Sequence, residues 1–460
     1  MERIKPKPEE YDKAERVWRI VRDRLEDTLR ARGVEEFEVT LQGSIAKDTW
    51  LSGDLDIDVF VLFPKYWRRR LDKAKDLFRE AFQDMPVEER YAAHPYIRVL
   101  VEDVWVDIVP ALKARSSAEI ETAVDRTPLH TEYINRVLTR EQKDEVRLLK
   151  KFLKGIGVYG AEVAVQGFSG YLAELLIARY KCFRYLLEKA ARWKPPIVID
   201  LEDHYGGVIN EVLERFEDQP LIVVDPVDPK RNVAAAVSKR SLATFVIAAR
   251  LYVKQPSMHF FEPPEPRLTP ERLLWLAGPR AWRILVALYE LRRVSPDVGW
   301  GLARSTARRL TSFLRERGYN VIDSVGLYCE IDGRVIVLVE VEEHPLPQPR
   351  LHIGPDAWSE ERAMSFIERS LERGDIGPWI DEDGVLKTLR YRQAYLGIEV
   401  ERAKPKEAER ASWRFLSDLL LEGWLPCKTL WRRVYEFVVK TPVWLAEVAA
   451  ATKRLVDNAE

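Results

Sequence analysis

The stretch LQGSIAKDTWLSGDLDIDVFVLF, residues 41–63, sets Asp54, Asp56 and Asp58 on alternate positions beside an apolar series, downstream of a Gly-Ser pair. Residues 56–63 read as a strand. In a strand, side chains alternate between two faces, so the acids share one face while Leu55, Ile57 and Val59 share the other. The apolar face packs into a core and the acidic face looks into a cleft. Neighbouring carboxylates repel, and such a trio costs stability unless cations neutralise it. Magnesium is the natural cation for a cluster of hard oxygens that also receives phosphate. A D-x-D alone is more often a solvated edge or a turn than a metal site.

Two further pieces narrow the reading. In VEDVWVDIVPAL, residues 101–112, Asp107 interrupts a strand of Val104, Val106, Ile108 and Val109. A charge buried in so apolar a run is expensive without a partner. Either Asp107 faces solvent at a strand edge, or it stands beside Asp56 and Asp58 and completes a three-carboxylate site for two magnesium ions. In such a site one metal activates an attacking hydroxyl and the other steadies a leaving phosphate. The Gly-Ser pair fits the second option: Gly43 permits close backbone approach, and Ser44 offers a hydroxyl and an N–H to a phosphate oxygen.

At 460 residues the chain exceeds one core, and roughly three domains is the expectation from length. An apolar fraction of 46% with 32% charged residues is that of a globular protein. No apolar run approaches the ~18 residues of a membrane span, and MERIKPKPEEYDKAERVW lacks the apolar core of a signal peptide. Cys182, Cys329 and Cys427 lie far apart, which suits thiols in a reducing cytoplasm and offers no metal-binding spacing. A net charge of −1 means that a nucleic-acid partner is held by local patches rather than a global field.

Along the chain, helical spacing of Tyr11, Ala14, Trp18, Val21 and Leu25 is followed by strands at 37–41, 56–63, 96–100 and 104–109, with a helix at 68–82. This is an α/β head. Helical patterns dominate from Glu141 to Gln255, interrupted by PPIVIDLEDHYG and PLIVVDPVDPKRN. Proline-rich breaks, FEPPEPRLTP and HPLPQPRLHIGP, punctuate a C-terminal part in which helices mix with strand-like pieces. One helix carries an apolar stripe, Leu149, Phe152, Leu153 and Ile156, flanked by Arg147, Lys150, Lys151 and Lys154. Four cations with no acid on that stripe would raise the potential near a triphosphate or RNA backbone. Basic segments with interleaved apolar or aromatic residues, GLARSTARRLTSFLRERGY, LKTLRYRQAY and TLWRRVYEF, have the composition of an RNA-contacting surface.

The order strand, Gly-Ser, D-x-D strand, single Asp on a later strand resembles the DNA polymerase β-type nucleotidyltransferase superfamily. GSIAKDTW, DLDIDVFVLFP, VDIVPA and DRTPLH, with VRLLKKFLKGIGVYGAE, GFSGYLAELL and VVDPVDPKRNVAAAVS, are similar to the archaeal-type (class I) CCA-adding tRNA nucleotidyltransferases over about the first 260 residues. The resemblance implies an α+β multidomain protein. A polymerase β-like head with a small mixed sheet spans 1–138. A mostly helical central domain completing the nucleotide site spans 139–260, and an α/β C-terminal body and tail, 261–460, clamp the acceptor stem and elbow of tRNA.

The same resemblance implies roles. Asp56, Asp58 and Asp107 are the catalytic carboxylates and magnesium ligands; some relatives carry Glu at the first. Gly43 and Ser44 form the phosphate-binding turn, Thr127, His130, Lys150 and Tyr159 contact the triphosphate, and Arg231 and Asn232 lie near the base. The activity implied is template-independent addition of C, C and A to the tRNA 3′ end from CTP and ATP. A poly(A)- or oligoadenylate-forming transferase and an idle RNA-binding module are the alternatives, and whether the chain forms a homodimer is left open.

Overall fold

The computed structural model describes residues 1–91, 95–342, 350–373, 375–390 and 396–445. Parts of HPLPQPRLHIGP and LKTLRYRQAY fall outside them. The chain forms two compact units, one from Met1 to Pro264 and one beginning at Glu265. No helix among the described residues is long and apolar enough to cross a membrane.

The first unit opens with α1 (Pro8–Ala31), β1 (Glu38–Gln42), α2 (Gly43–Ala46), β2 (Ile57–Phe63), α3 (Leu71–Ala81), β3 (Val87–Tyr91), β4 (Pro95–Val101) and β5 (Val104–Leu112). Pro8 at the first turn and a Glu10 carboxylate on the Lys7 N–H start α1. Its buried line is Ala14, Val17, Val21, Leu25 and Leu29, with Val17 rather than Trp18 filling the second place. The five strands form one mixed sheet in the order β1-β2-β5-β4-β3, with β2 and β5 parallel and the other pairs antiparallel.

β2, interior to the sheet, is buried on both faces. Ile57, Val59, Val61 and Phe63 join α1 and α3 in the main core, while Phe60 and Leu62 meet Val109 and Ala111 of β5 on the other side. Period two places Asp58 in line with Phe60 and Leu62, and Asp107 in line with Val109 and Ala111. Asp58 is thus the polar start of an apolar row, and Asp107 stands in a row between Trp105 and Val109.

The unit continues with α4 (Arg126–Val137), α5 (Arg140–Gly155), α6 (Gly170–Tyr180), α7 (Phe183–Ala190), β6 (Ile197–Asp200), α8 (Ile209–Arg215), β7 (Leu221–Asp225), β8 (Asp228–Asn232) and α9 (Lys239–Lys254). Thr139 and Gln142 cap α5 reciprocally. The expected stripe is its buried face: Leu149, Phe152, Leu153 and Ile156 are all in the core. Phe152 meets the rings of Phe183, Phe245, Tyr252, Phe260 and Phe261. The two interruptions in the helical pattern supply a small sheet, β6-β7-β8.

The second unit contains α10 (Pro270–Ala277), β9 (Ile284–Leu291), α11 (Pro296–Glu316), β10 (Val321–Cys329), β11 (Arg334–Val341), β12 (Arg350–Asp356), α12 (Glu360–Glu372), β13 (Ile376–Ile380), β14 (Val385–Arg390), α13 (Leu396–Ala403), β15 (Ala408–Phe415), α14 (Leu416–Leu421) and α15 (Trp431–Val439). Its sheets run β10-β11-β9-β15 and β12-β14-β13. Ala303, Ala307, Leu310 and Leu314 of α11 are buried. The expectation of separated thiols is corrected here: Cys329 and Cys427, 98 residues apart, are disulfide-bonded with their Cα atoms 6.4 Å apart. Sequence distance had hidden the fold's return.

Candidate active site

The Gly-Ser turn sits against the carboxylate strand. Gln42 pairs with Asp58 across β1 and β2, and Gly43 follows with φ +70°. A Cβ at Gly43 would overlap Asp58 Oδ2 and lie 2.9 Å from its Cγ, so only glycine fits both backbone and neighbour. Ser44 is the second residue of the short α2.

The alternating acids do not all ride on one strand. Gly53, at φ +82°, closes a turn in which the Asp54 N–H donates to the Leu51 carbonyl, and β2 begins only at Ile57. Asp54 and Asp56 therefore precede the strand, and Asp54 forms an ion pair with Lys154. The local glycine turn overrides the apparent period.

Asp58 and Asp107 are in direct register across the parallel pair β2 and β5. Burial, then the charges of Asp107 and Asp56, push the Asp58 carboxyl from the usual 3.8 up to about 6. Burial also raises Asp107, against the pull of Arg98. Arg98, opposite Asp107 on β4, lies with Nε 3.2 Å from Asp107 Oδ1 and Nη2 3.6 Å from Asp56 Oδ1. The structure thus brings two of the three acids together and turns the exposed Asp56 toward Arg98. Among the described residues no group of three or more His, Cys, Asp or Glu surrounds a common metal position. The strand pair still has the chemistry a divalent cation needs: hard, mutually repelling oxygens, with Asp107 Oδ1 buried and without a hydrogen bond among the described residues.

The cation stripe is corrected by its partners. Arg147 is fully buried, ion-paired to Asp48 and Asp144, and donates to the Trp50 carbonyl at 2.9 Å. Lys151 and Lys154 pair with Glu262 and Asp54. Lys150 is buried, its ammonium 3.0 Å from the Thr49 carbonyl and 3.3 Å from Glu174. Burial draws Lys150 down to about 8, opposed by Glu174. Every acid comes from a segment remote from α5 except Asp144, so the stripe is compensated. Lys150 and Tyr159 converge at the start of α6, where a Cβ on Gly170 would meet the Tyr159 hydroxyl at 3.1 Å and Lys150 Nζ at 3.6 Å.

A second cluster gathers around Asp225, fully buried at the end of β7. It accepts from His130 Nε2 at 2.9 Å, from Arg231 at 2.7 Å and from the Tyr171 hydroxyl at 3.4 Å. The His130 ring stacks on Tyr171 at 4.0 Å. Burial holds the His130 imidazole below its usual range although Asp225 pulls it up. Thr127 lies half-buried one turn before His130 on α4. Asn232 spends its amide on backbone: Oδ1 accepts from the Val223 and Ala234 N–H groups, and Nδ2 donates to the Leu221 carbonyl. Arg231 and Asn232 line a cavity of ≈ 890 Å³ together with Arg126, Ser169, Asp228 and Lys230.

Four polar residues of these clusters were not singled out from sequence. Glu174 is fully buried, binding Lys47 and the Thr49 hydroxyl at 2.6 Å each. Lys47, Asp225 and Arg98 complete the set. The argument applied to Asp107, an acid set in an apolar run, applies equally to Glu174 in GYLAELLIARY and Asp225 in LIVVD.

Residues 21–130 match the family described as "Nucleotidyltransferase domain", and residues 144–262 match "tRNA nucleotidyltransferase, second domain". The chain is 38% identical over 447 residues to the CCA-adding enzyme of Saccharolobus islandicus, covering 96% of this chain and 98% of that one. The CCA-adding enzymes of Sulfurisphaera tokodaii and Sulfolobus acidocaldarius are 36% and 34% identical, each covering 97% of this chain and 98% of theirs. Among solved structures, the RNA terminal uridylyl transferase Cid1 is similar at 17% identity and TM-score 0.45, covering 57% of this chain and 96% of that chain. CdnC of E. coli MS115-1 with ATP is similar at 19% identity and TM-score 0.42, covering 57% and 90%.

Proposed function

The chain belongs to the CCA-adding enzymes, and on that premise we propose how its own residues carry out the transfer. The reaction adds C, C and A to the 3′ end of tRNA, with CTP and ATP as donors. In each addition the RNA 3′-oxygen bonds to the α-phosphorus, the bond to the bridging oxygen of the β-phosphate breaks, and pyrophosphate leaves. Asp58 and Asp107, joined by Asp56, are the residues that would hold magnesium. Bound there, two such ions would lower the pKa of the 3′-hydroxyl and offset the charge on the leaving pyrophosphate.

The rest is positioning and electrostatics. The Gly43–Ser44 turn, packed on Asp58, places backbone and hydroxyl donors beside the reacting phosphate. Lys47 and Lys150 share the single carboxylate of Glu174, which leaves a net positive charge beneath the triphosphate, and Tyr159 adds a neutral hydroxyl donor. Thr127 faces the triphosphate from α4, while the neutral imidazole favoured by burial spends its one N–H on Asp225, so His130 sets the Asp225–Arg231–Tyr171 cluster beside it rather than donating to phosphate. Arg231 presents its fork toward the base side of the cavity. Asn232, whose amide is spent on backbone, anchors β8 so that Arg231 keeps that direction. Exposed Trp275, Trp282 and Trp358 of the second unit are candidates for stacking against tRNA.

The observation that carries this reading is the in-register pair Asp58–Asp107 with Gly43 packed on Asp58. The test is extension of a tRNA lacking its 3′ CCA with each nucleotide in turn. Two C additions that stop until ATP is supplied, and their loss in Asp107→Ala with tRNA binding retained, are expected. A long A tail, or near-full activity of D107A, overturns it.

A further inference from the structure

We infer that Arg98 is the built-in counter-cation of the carboxylate cluster, holding Asp107 while no metal is bound and yielding it when a divalent cation enters. The inference rests on Asp58 and Asp107 being the metal ligands, as proposed above.

Three observations carry it. Arg98 and Asp107 are directly opposed on antiparallel β4 and β5, so strand register, not a chance rotamer, aims the guanidinium at the cluster. Its Nε stands 3.2 Å from Asp107 Oδ1 while Nη2 reaches toward Asp56 at 3.6 Å, so one fork spans two acids. Yet Arg98 Nε and Asp107 Oδ1 are both buried without a hydrogen bond among the described residues, so charge holds the pair and alignment does not. An arginine meant as a permanent strut is normally a bidentate, hydrogen-bonded fork.

The consequences follow from charge. Three acids at one sheet end repel when no metal is present, and one guanidinium between two of them relieves part of that repulsion. A divalent ion on Asp107 Oδ1 would face the guanidinium across a single oxygen, and two cations do not share that place. The indole of Trp105, 5.6 Å from the guanidinium carbon, provides a face along which Arg98 can withdraw while keeping a favourable contact. Arg98 is therefore a positioning residue, which exchanges with the metal rather than touching substrate.

The test is Mn²⁺ binding to the full-length protein, read as loss of free Mn²⁺ resonance, beside thermal melts in chelator. Arg98→Met should bind Mn²⁺ with a midpoint lowered roughly tenfold while melting earlier in chelator. Arg98→Lys keeps the charge without the fork and should fall between, guarding against a misfolded methionine variant. An unchanged or weakened Mn²⁺ midpoint in both variants overturns the inference, because a merely structural arginine would leave binding equal or worse. Asp107→Ala separates the premise: if it binds Mn²⁺ like the parent, the ligand reading itself fails, whatever Arg98 does.

Discussion

Asp58→Asn should stabilise the metal-free protein while abolishing transfer. Asp58 is half-buried at the head of an apolar row, and burial with two neighbouring acids lifts its carboxyl from 3.8 to about 6. Between those values the folded state keeps a proton that the unfolded chain gives up. Stability therefore falls as pH rises through this window and stays lower above it. The span corresponds to about 3 kcal/mol. Asparagine has nearly the same shape and no charge to desolvate, so it removes most of that cost. For a unit of this size the gain is roughly 6–12 °C in melting temperature at pH 7.5 in chelator. Calorimetry at pH 7.5 and at pH 4 in EDTA is the assay. The advantage should nearly vanish at pH 4, where the parent carboxyl is mostly protonated, and should shrink or reverse in saturating Mg²⁺, which only the carboxylate binds well. A variant no more stable than the parent at pH 7.5, or equally favoured at both pH values, would refute the argument that the unloaded cluster is strained by its own charge.

Other outcomes are accessible to the same protein. Gly43→Ala adds a side chain where φ is +70° and Asp58 already occupies the space; displacing that carboxylate by about 1 Å should slow single-turnover C addition about 100-fold. A rate within threefold of the parent would mean the turn has room to spare. Glu174→Ala strands Lys47 and Lys150 in the interior and should cost about 3–5 kcal/mol in denaturant unfolding; a loss below about 1 kcal/mol would show that water reaches the cluster. Reducing the Cys329–Cys427 bond, which closes 98 residues, should destabilise the second unit by up to about 4.7 kcal/mol, visible as a lower melt in reductant that Cys427→Ser reproduces and makes insensitive to reductant.

What could be read from sequence was whatever repeats locally. The period-two rows of β2 and β5 and the stripe of Leu149, Phe152, Leu153 and Ile156 depend only on neighbours along the chain, and they lie buried as the periodicity requires. Asp54 and Asp56 were placed on the strand because alternation continues through them, but a glycine turn ends the strand at Ile57. The charges on α5 looked uncompensated because their partners lie remote: Asp48 and Asp54 near position 50, Glu174 on α6, Glu262 at the unit's end. Asn232 was placed near the base from resemblance alone; it lines the cavity beside Arg231, and its amide closes three backbone hydrogen bonds that no local pattern announced. The cysteine pair was hidden for the same reason. Pairing partners belong to tertiary structure, which no local period encodes.

The tethers of α5 bear on how this protein can change over generations. Two separately recognisable family segments meet around that helix, yet Arg147, Lys150 and Lys154 on the later one are matched to Asp48, Thr49 and Asp54 on the earlier. A gene fusion that replaced either segment with a distant cousin's would inherit cations without their acids, or acids without their cations, beside the residues that do the chemistry. Such a hybrid would fail by misplaced charge even with every catalytic side chain present. The two segments are therefore expected to travel together through recombination, and lineages should alter these contacts in compensating pairs rather than singly.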